Sequence, residues 1–377
     1  MFRPTDEKMM CRAIALAEQS GAAAHPNPRV GCVITRAGRV IAQGGHERFG
    51  GPHAEIQALK KAGARARGAT MYVTLEPCPH WGKTPPCAEA VVRAGIRRVL
   101  IASPDPSRRF SGKGIAALRR AGVRVDAGLM SRRAEELNRG FFQRQRTGRP
   151  HVILKMAQTL DGKIASRTGA SRWITGPQAR DLVHRLRAES DAVLVGGETV
   201  RRDNPLLTAH GAGPNPVRVV LSGSLDLHVK SKVFGPESPT WVLTRAGAPS
   251  ARVHAIEKWG AQVIGVSGRT KSVDPEQALL ALGRRGITQL LVEGGGGVAA
   301  CFLSAGLVDE VYLFVAPIFL GGKDAPTTIE GKGWATPSEG MRLVDPKVAR
   351  LGEDWLIWSA GLKPGCHAGA RRASPRA

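Results

Sequence analysis

The sequence predicts two α/β domains in one chain, on three observations. The chain has 377 residues, 42% of them hydrophobic, which is enough for two separate cores of ordinary size. Apolar stretches of helical period alternate with short β-rich runs along most of its length. The polar run "RQRTGRP" at 144–150 interrupts that alternation and marks a boundary near residue 147. The domains are therefore expected at 1–146 and 147–362. The small, basic, breaker-rich end at 363–377 is expected to be a disordered tail.

The elements follow in order. "DEKMMCRAIALAEQSG" at 6–21 has apolar residues at helical spacing and a closing glycine, and "RVGCVIT" and "GRVIAQGG" read as strands around an Arg-Ala-Gly turn. "HAEIQALKKAG" is a helix closed by Gly63, followed by the strand "ATMYVTLE" and a helix from about Thr84 to Ala94. The strand "RRVLIAS", the helix "GKGIAALRRAG", the strand "VRVDAG" and one helix over "SRRAEELNRGFFQRQ" complete the first domain. The second domain opens with "HVILKMA" and includes the strands "AVLVGG", "VRVVLSG", "TWVLTRAG", "QLLVEGGGG" and "DEVYLFVAPIFLGG". No repeat of fixed period is present.

Composition narrows the function classes. The first ten residues are rich in charge and never build the apolar run of a signal peptide, and no later stretch reaches membrane-spanning length. A soluble, cytoplasmic protein with no membrane partner is expected. Six cysteines in so long a chain make no disulfide framework. Cys11, Cys32 and Cys301 read as apolar filler, whereas Cys78 and Cys87 lie in a proline-rich, loop-like setting that suggests metal. The net charge of +24 raises the question of a polynucleotide. The arginines are dispersed, however, and at 5% aromatic residues the chain is poor in stacking rings, so nucleic acid is not the expected partner.

The chemistry concentrates in "HAEIQAL" at 53–59 and "TLEPCPHWGKTPPCAEA" at 74–90. Zinc that activates water takes three protein ligands and keeps one position open, and an imidazole with two thiolates suits this ion. His53, Cys78 and Cys87 supply that set. Such a site brings the pKa of water from about 16 toward roughly 7, but it still needs a proton shuttle. Glu55, two residues from His53 and too close in sequence to be a convenient fourth ligand, can carry the proton to a departing amine. His-x-Glu followed by Pro-Cys-x-x-Cys is the zinc-deaminase signature. Here eight residues, "PHWGKTPP", separate the cysteines instead of two, which adds His80, Trp81 and Lys83 beside the metal for an extended polar substrate.

In the second domain, "LLVEGGGGVAACFLSAG" is a strand running into glycines and then a helix, which lets backbone amides approach a pyrophosphate. Gly294, Gly296 and Ala299 match G-x-G-x-x-A. A Rossmann fingerprint would open its domain and carry an acid about 20 residues later; here the motif lies near the end and Asp309 and Glu310 come too early. That fold is rejected.

"HPNPRVGCVI", "GPHAEIQAL", "TLEPCPHWGKTPPCAEAV" and "LNRGFF" resemble the deaminase half of the bifunctional riboflavin-biosynthesis deaminase/reductase family. "KMAQTLDGKIA", "GASRWITGPQARDLVHRLRAESDAVLVGGETV" and "LLVEGGGGVAACFLSAGLVDEVYLFVAPIFLGG" resemble its reductase half. The match runs from about residue 5 to 362. It implies a cytidine-deaminase-like three-layer amino-terminal domain and a dihydrofolate-reductase-like carboxy-terminal domain. The activities implied are zinc-dependent deamination of 2,5-diamino-6-(5-phosphoribosylamino)pyrimidin-4-one and NADPH-dependent reduction of its ribosyl group to ribityl. Asn27, His46, His80 and Lys83 match positions that hold the first substrate. Ala157, Trp173, Thr199, Asp203 and the run Gly295, Gly296, Gly297, Val298, Ala299, Ala300 and Cys301 match cofactor positions. Ser171, Arg187, Leu207 and Glu293 match positions facing the second substrate. Arg187 suits a phosphate through its planar fork. Asp203 is the best-placed proton donor, and Arg245 is a positional candidate for a 2′-phosphate.

The chain departs from the family pattern at Ser107 (usually Asn), Asn204 (usually Asp), Ser222 (commonly Asp) and His210 (often Arg). A neutral imidazole holds phosphate less firmly than a guanidinium, so a working reductase with weaker substrate binding is expected. A base deaminase acting on RNA and a nucleotide sensor with an inactive second domain remain alternatives. A homo-oligomer is also left open.

Overall fold

The computed structural model describes residues 2–81, 85–267 and 272–365, and the chain divides into two compact units, Met1–Pro150 and His151–Ala377. The first unit runs α1 (Pro4–Gln19), β1 (Gly31–Arg36), β2 (Arg39–Gly45), α2 (Ala54–Ala62), β3 (Thr70–Leu75), α3 (Cys87–Arg93), β4 (Arg98–Ser103), α4 (Lys113–Arg120), β5 (Arg124–Ala127), α5 (Ser131–Leu137) and α6 (Arg139–Thr147). Its five strands lie in the order β2-β1-β3-β4-β5, with β1 antiparallel to both neighbours and β3, β4 and β5 parallel.

Three layers result because the sheet is apolar on both faces. Cys32, Ile34, Met71, Val73, Val99 and Ile101 pack with Ala54, Ala58, Val91 and Leu118 of α2, α3 and α4. The alternate residues Val33, Tyr72 and Leu100 pack with Met10, Ile14 and Ala134 of α1 and α5. Each fully buried Leu or Ile here contributes about 1.5–3 kcal/mol. The small face of α2, repeating alanine every fourth residue, lets the helix lie directly on β2. A Cβ on Gly44 would fall 2.7 Å from the Ala54 carbonyl oxygen, so that approach requires glycine.

Two helices differ from expectation. The segment expected as one helix from Ser131 breaks at Asn138 (φ −113°), whose amide pairs instead with the backbone of Arg29, accepting from its N–H at 2.7 Å and donating to its carbonyl at 2.9 Å. The helix expected from about Thr84 starts at Cys87, after Pro86; Thr84 lies outside the described residues. The helix α6 continues to Thr147, so the two units divide between Pro150 and His151.

The second unit runs β6 (His151–Thr159), α7 (Pro177–Ala188), β7 (Ala192–Gly196), α8 (Gly197–Asp203), β8 (Val217–Leu221), β9 (Thr240–Arg245), α9 (Ser250–Lys258), β10 (Gln262–Val266), α10 (Pro275–Arg284), β11 (Gln289–Val292), α11 (Gly296–Ser304), β12 (Glu310–Ala316), β13 (Arg342–Leu343), β14 (Lys347–Leu351), β15 (Asp354–Ser359) and β16 (Leu362–Lys363). Nine strands form one sheet in the order β10-β9-β8-β7-β11-β6-β12-β15-β14. The seven from β10 to β12 are parallel, and the β14–β15 hairpin closes the edge antiparallel. On one face Val152, Leu154, Leu194 and Val219 pack with Leu279, Leu282, Phe302 and Leu303 of α10 and α11; on the other Ile153, Val193, Val220 and Val242 pack with Leu186, Val200 and Ile256 of α7, α8 and α9.

β10 and the strands beyond Gly322 are not among the expected strands. β14 is an edge strand exposed at four of its five positions, so it reads as polar. Lys363, expected as the first tail residue, pairs with Arg342 across β13 and β16; residues 366–377 of that tail lie outside the described residues. Among the described residues, no helix is long and apolar enough to cross a membrane.

Candidate active sites

In the first unit three elements converge. His53 is the residue before α2, Cys78 follows β3, and Cys87 opens α3. The His53 Nδ1 stands 3.1 Å from the Cys87 Sγ and 3.7 Å from the Cys78 Sγ, and the three ligand atoms all lie within 4.8 Å of one another. A tetrahedral zinc ion with bonds of about 2.0–2.3 Å places its ligands roughly 3.5–3.8 Å apart, so this set fits that ion. The Cys78 sulfur takes hydrogen bonds from the Cys87 thiol, from His53 and from the Cys87 amide, which pull its pKa down to about 4 against burial. Cys87 is pushed up by the same thiol pair and by burial, and a cation would turn both sulfurs into thiolates.

Glu55 faces the same cavity and is only 3% exposed. Burial raises its carboxyl to about 6, with His53 opposing, which puts it near the pKa at which one group can both accept and return a proton at neutral pH. The cavity, of roughly 330 Å³, is also lined by Asn27, His46 and His80. The Pro52 carbonyl can only accept, so the His46 Nδ1, 3.1 Å away, carries the proton, and its Nε2 accepts from the Asn27 amide at 3.1 Å. Burial lowers the pKa of His46, in keeping with a neutral ring. The His80 ring stacks on Phe110, and its Nδ1 is buried with no hydrogen-bond partner among the described residues. Lys83 lies outside the described residues.

In the second unit a cavity of roughly 440 Å³ opens where β6, β7 and β11 end, as ligand sites do in open α/β sheets. Ala157, Ser171, Trp173, Thr199, Asp203, Leu207, Arg187, Glu293, Gly295, Gly296 and Ala299 line it, so all the expected substrate residues and seven of the cofactor residues border one cavity. Gly297, Val298, Ala300 and Cys301 do not line it; Val298 packs on the core instead. Arg245, exposed at the end of β9, is also absent from the wall. The glycine turn fits a dinucleotide in two respects: the first amides of α11 have no intrahelical carbonyl to meet, and the Thr199 Oγ1 would lie 3.2 Å from a Cβ on Gly295.

Arg187 donates through Nε and Nη2 to the two oxygens of Glu293, and through Nη1 to the Thr208 carbonyl. The Lys155 ammonium stands 3.7 Å from the same carboxylate. Burial alone would raise the Glu293 pKa, but Arg187 and Lys155 outweigh it and hold the group at about 2. The Asp203 carboxylate accepts from the Ser171 hydroxyl at 3.3 Å.

Sequence reasoning missed Lys155, whose signal was a lysine inside the apolar run "VILKM", and Asp105 and Phe110, which line the first cavity from a loop after β4. The four departures have structural partners. Asn204 accepts from the Lys232 amide at 2.7 Å, Ser222 accepts from the Leu225 amide at 3.1 Å, and Ser107 donates its amide to Asp105 at 2.8 Å. His210 lines the second cavity and stacks on His184 with ring centroids 4.4 Å apart.

Family models match both halves: "Cytidine and deoxycytidylate deaminase zinc-binding region" over residues 3–103 and "RibD C-terminal domain" over residues 150–357. The riboflavin biosynthesis protein RibD of Aquifex aeolicus is 40% identical over 361 residues, covering 95% of this chain and 99% of the relative. The Escherichia coli protein of that name is 39% identical over 332 residues, or 84% and 89% of the two chains. Among solved structures, Acinetobacter baumannii RibD superposes with a TM-score of 0.84 at 35% identity, over 95% of this chain and 99% of that one. A Thermotoga maritima protein described as a diaminohydroxyphosphoribosylaminopyrimidine deaminase/5-amino-6-(5-phosphoribosylamino)uracil reductase superposes with a TM-score of 0.80 at 35% identity, over 96% and 99%. With a cytidine-deaminase-like first unit, a RibD reductase-type second unit and this likeness along nearly its full length, the chain belongs to the riboflavin biosynthesis protein RibD family.

Proposed function

We propose that the chain catalyses two consecutive steps of riboflavin biosynthesis. Residues 1–146 hydrolyse the 2-amino group from 2,5-diamino-6-(5-phosphoribosylamino)pyrimidin-4(3H)-one, releasing ammonia and 5-amino-6-(5-phosphoribosylamino)uracil. Residues 147–362 reduce the ribosyl group of that product to ribityl with NADPH. The observation that carries the reading is the meeting of His53, Cys78 and Cys87 beside the buried carboxylate of Glu55 in one cavity.

His53, Cys78 and Cys87 hold the metal. A zinc ion there would supply the Lewis acidity that makes water a nucleophile near neutral pH. Glu55 takes the proton of the attacking water, passes it to the ring nitrogen, and then delivers a proton to the leaving amine, so water and the C–NH2 group become a carbonyl and ammonia. Asn27 and His46, already joined by a hydrogen bond, hold the pyrimidine edge. The unpartnered Nδ1 of His80 meets a polar group of the substrate, and Lys83 belongs to the same binding set.

In the second unit, Arg187, Glu293, Ser171 and Leu207 face the sugar and its phosphate. Ala157, Trp173, Thr199, Asp203 and the glycine turn into α11, at Gly295, Gly296 and Ala299, hold the dinucleotide. NADPH bound there would supply the hydride, these residues would orient its nicotinamide toward the sugar carbon, and Asp203 is the candidate for delivering the proton. A small anionic substrate agrees with a cavity lined by Lys155, Arg172, Arg180, Arg187 and Lys232. The reading assigns the chain to the cytoplasm, and free thiols at Cys11, Cys32, Cys78, Cys87 and Cys301 suit a reducing compartment. It assigns no polynucleotide and no membrane partner.

A coupled assay on the diaminopyrimidine tests both steps. Ammonia release should stop with a chelator, while NADPH oxidation on the deaminated intermediate should continue. Chelator-insensitive ammonia release, or intermediate that leaves the nicotinamide absorbance unchanged, would overturn the corresponding half.

A further inference from the structure

Glu76 follows β3, two residues before Cys78, and has no part in the proton chemistry described above. Its side chain is buried, and both of its oxygens are fully engaged by backbone. Oε1 accepts from the Gly114 and Ile115 amides at 2.7 and 3.0 Å, and Oε2 accepts from the Asp105 and Gly112 amides at 3.0 and 2.9 Å. All four amides belong to one segment, 105–115, which leaves β4 and enters α4. An ionised carboxylate is the side chain that offers this many acceptor positions and no donor, and charge-assisted bonds of this kind are roughly twice as strong as neutral ones. A glutamine would turn an NH2 group toward two of the four donors.

The clamped segment forms a wall of the first cavity, supplying Asp105, Ser107 and Phe110 to its lining. It sits tightly on the turn that leads to Cys78, since a Cβ on Gly114 would fall 2.1 Å from the Pro77 carbonyl oxygen. Phe110 lies flat on His80, with ring centroids 3.8 Å apart and planes 13° apart. His80 in turn is the ring with a buried, unpartnered nitrogen. A line of contacts therefore runs from Glu76 through the backbone of 105–115 to Phe110 and on to His80.

We propose that Glu76 is a positioning residue for deamination: it locks segment 105–115 so that Phe110 fixes the His80 ring in the orientation in which its free nitrogen meets the pyrimidine. The inference rests on reading this cavity as the deaminase site. Its consequence falls on substrate binding rather than on the proton transfer, because His53, Glu55, Cys78 and Cys87 all lie outside segment 105–115, and the zinc content reports any disturbance of Cys78, two residues from Glu76.

The test uses the zinc-loaded full chain with the variants Glu76→Gln, Phe110→Ala and the double variant, read by ammonia release. Glu76→Gln should raise KM for the diaminopyrimidine about tenfold and leave kcat within about threefold, with zinc content and reductase turnover on the deaminated intermediate unchanged. Phe110→Ala should do the same, and the double variant should be no worse than the worse single, because both act through one contact line. Should Glu76→Gln fail to retain zinc, Gly112→Ala, which strains the clamped segment at a φ of +75° where a Cβ meets nothing within 4 Å, takes its place and should raise KM alike. An unchanged KM in the zinc-loaded variant, or effects that multiply in the double variant, overturns the proposal. If Glu55→Gln instead leaves ammonia release intact, the reading of the cavity itself fails.

Discussion

Arg187 and Glu293 meet through two N–H···O bonds, Nε to Oε1 at 2.5 Å and Nη2 to Oε2 at 2.9 Å, with both side chains largely out of solvent. Beyond this fork Arg187 makes one further hydrogen bond, from Nη1 to the Thr208 carbonyl, and the Lys155 ammonium stands against the same carboxylate. Two cations on one buried acid leave a net positive charge in the second-unit cavity, which suits a phosphate ester. Removing one partner of a buried pair strands the other charge, at a cost of about 3–5 kcal/mol. Glu293→Ala should therefore lower the urea stability of the second unit by about that amount, and a change under 1 kcal/mol would show that the pair is solvated in solution.

The pH dependence of the second unit follows from the same contact. Glu293 is held at about 2, below its ordinary value of 4.5, by Arg187 and Lys155 overcoming burial. A depressed carboxyl binds its proton less readily folded than unfolded, so its contribution is complete above pH 4.5 and is lost as pH falls from there toward 2. The shift corresponds to a loss on the order of 3 kcal/mol. Acid unfolding followed by circular dichroism should show this loss in the wild type and a much flatter profile in Glu293→Gln. Identical profiles would contradict the assignment.

Metal retention tests the first unit separately. Cys87→Ser removes a sulfur that stands 3.1 Å from the His53 nitrogen. Zinc content should fall from one ion per chain to near zero, and ammonia release by at least about a thousandfold, with NADPH oxidation on the deaminated intermediate kept within twofold. Full zinc occupancy in this variant would require a different ligand set.

His210 offers a gain of function. A guanidinium is permanently charged and forks onto phosphate, whereas the imidazole here stacks on His184. His210→Arg should lower the reductase KM for the phosphorylated intermediate by about three- to tenfold, which is about 0.7–1.4 kcal/mol, with kcat little changed. A raised KM would mean that the His184–His210 stack, rather than charge, shapes that end of the cavity.

The metal triad was legible because its three residues sit in local motifs that each follow or begin an element, so spacing along the chain reports proximity. The strands of both cores were legible for a similar reason: Val152 to Leu154 and Val99 to Ile101 are unbroken apolar runs buried on both faces. Legibility failed where a long-range partner overrides local pattern. Asn138 breaks a helix that its neighbours favour because Arg29, 109 residues earlier, offers a backbone pair. Lys155 reads as a stray charge in a core strand until Glu293 is placed beside it. Glu76 reads as part of the cysteine motif, and only the fold brings the amides of 105–115 to it. The edge strand β14 was hidden by its exposure, since a strand with one partner and little burial carries no apolar signature.

The most direct test of the account is ammonia release by Glu55→Gln with its zinc content measured in the same preparation. The substitution keeps the shape of the side chain and removes its ability to carry a proton. The account predicts one zinc per chain, as in the wild type, and a rate at least about a thousandfold lower. Release within tenfold of the wild-type rate from zinc-loaded protein would contradict it.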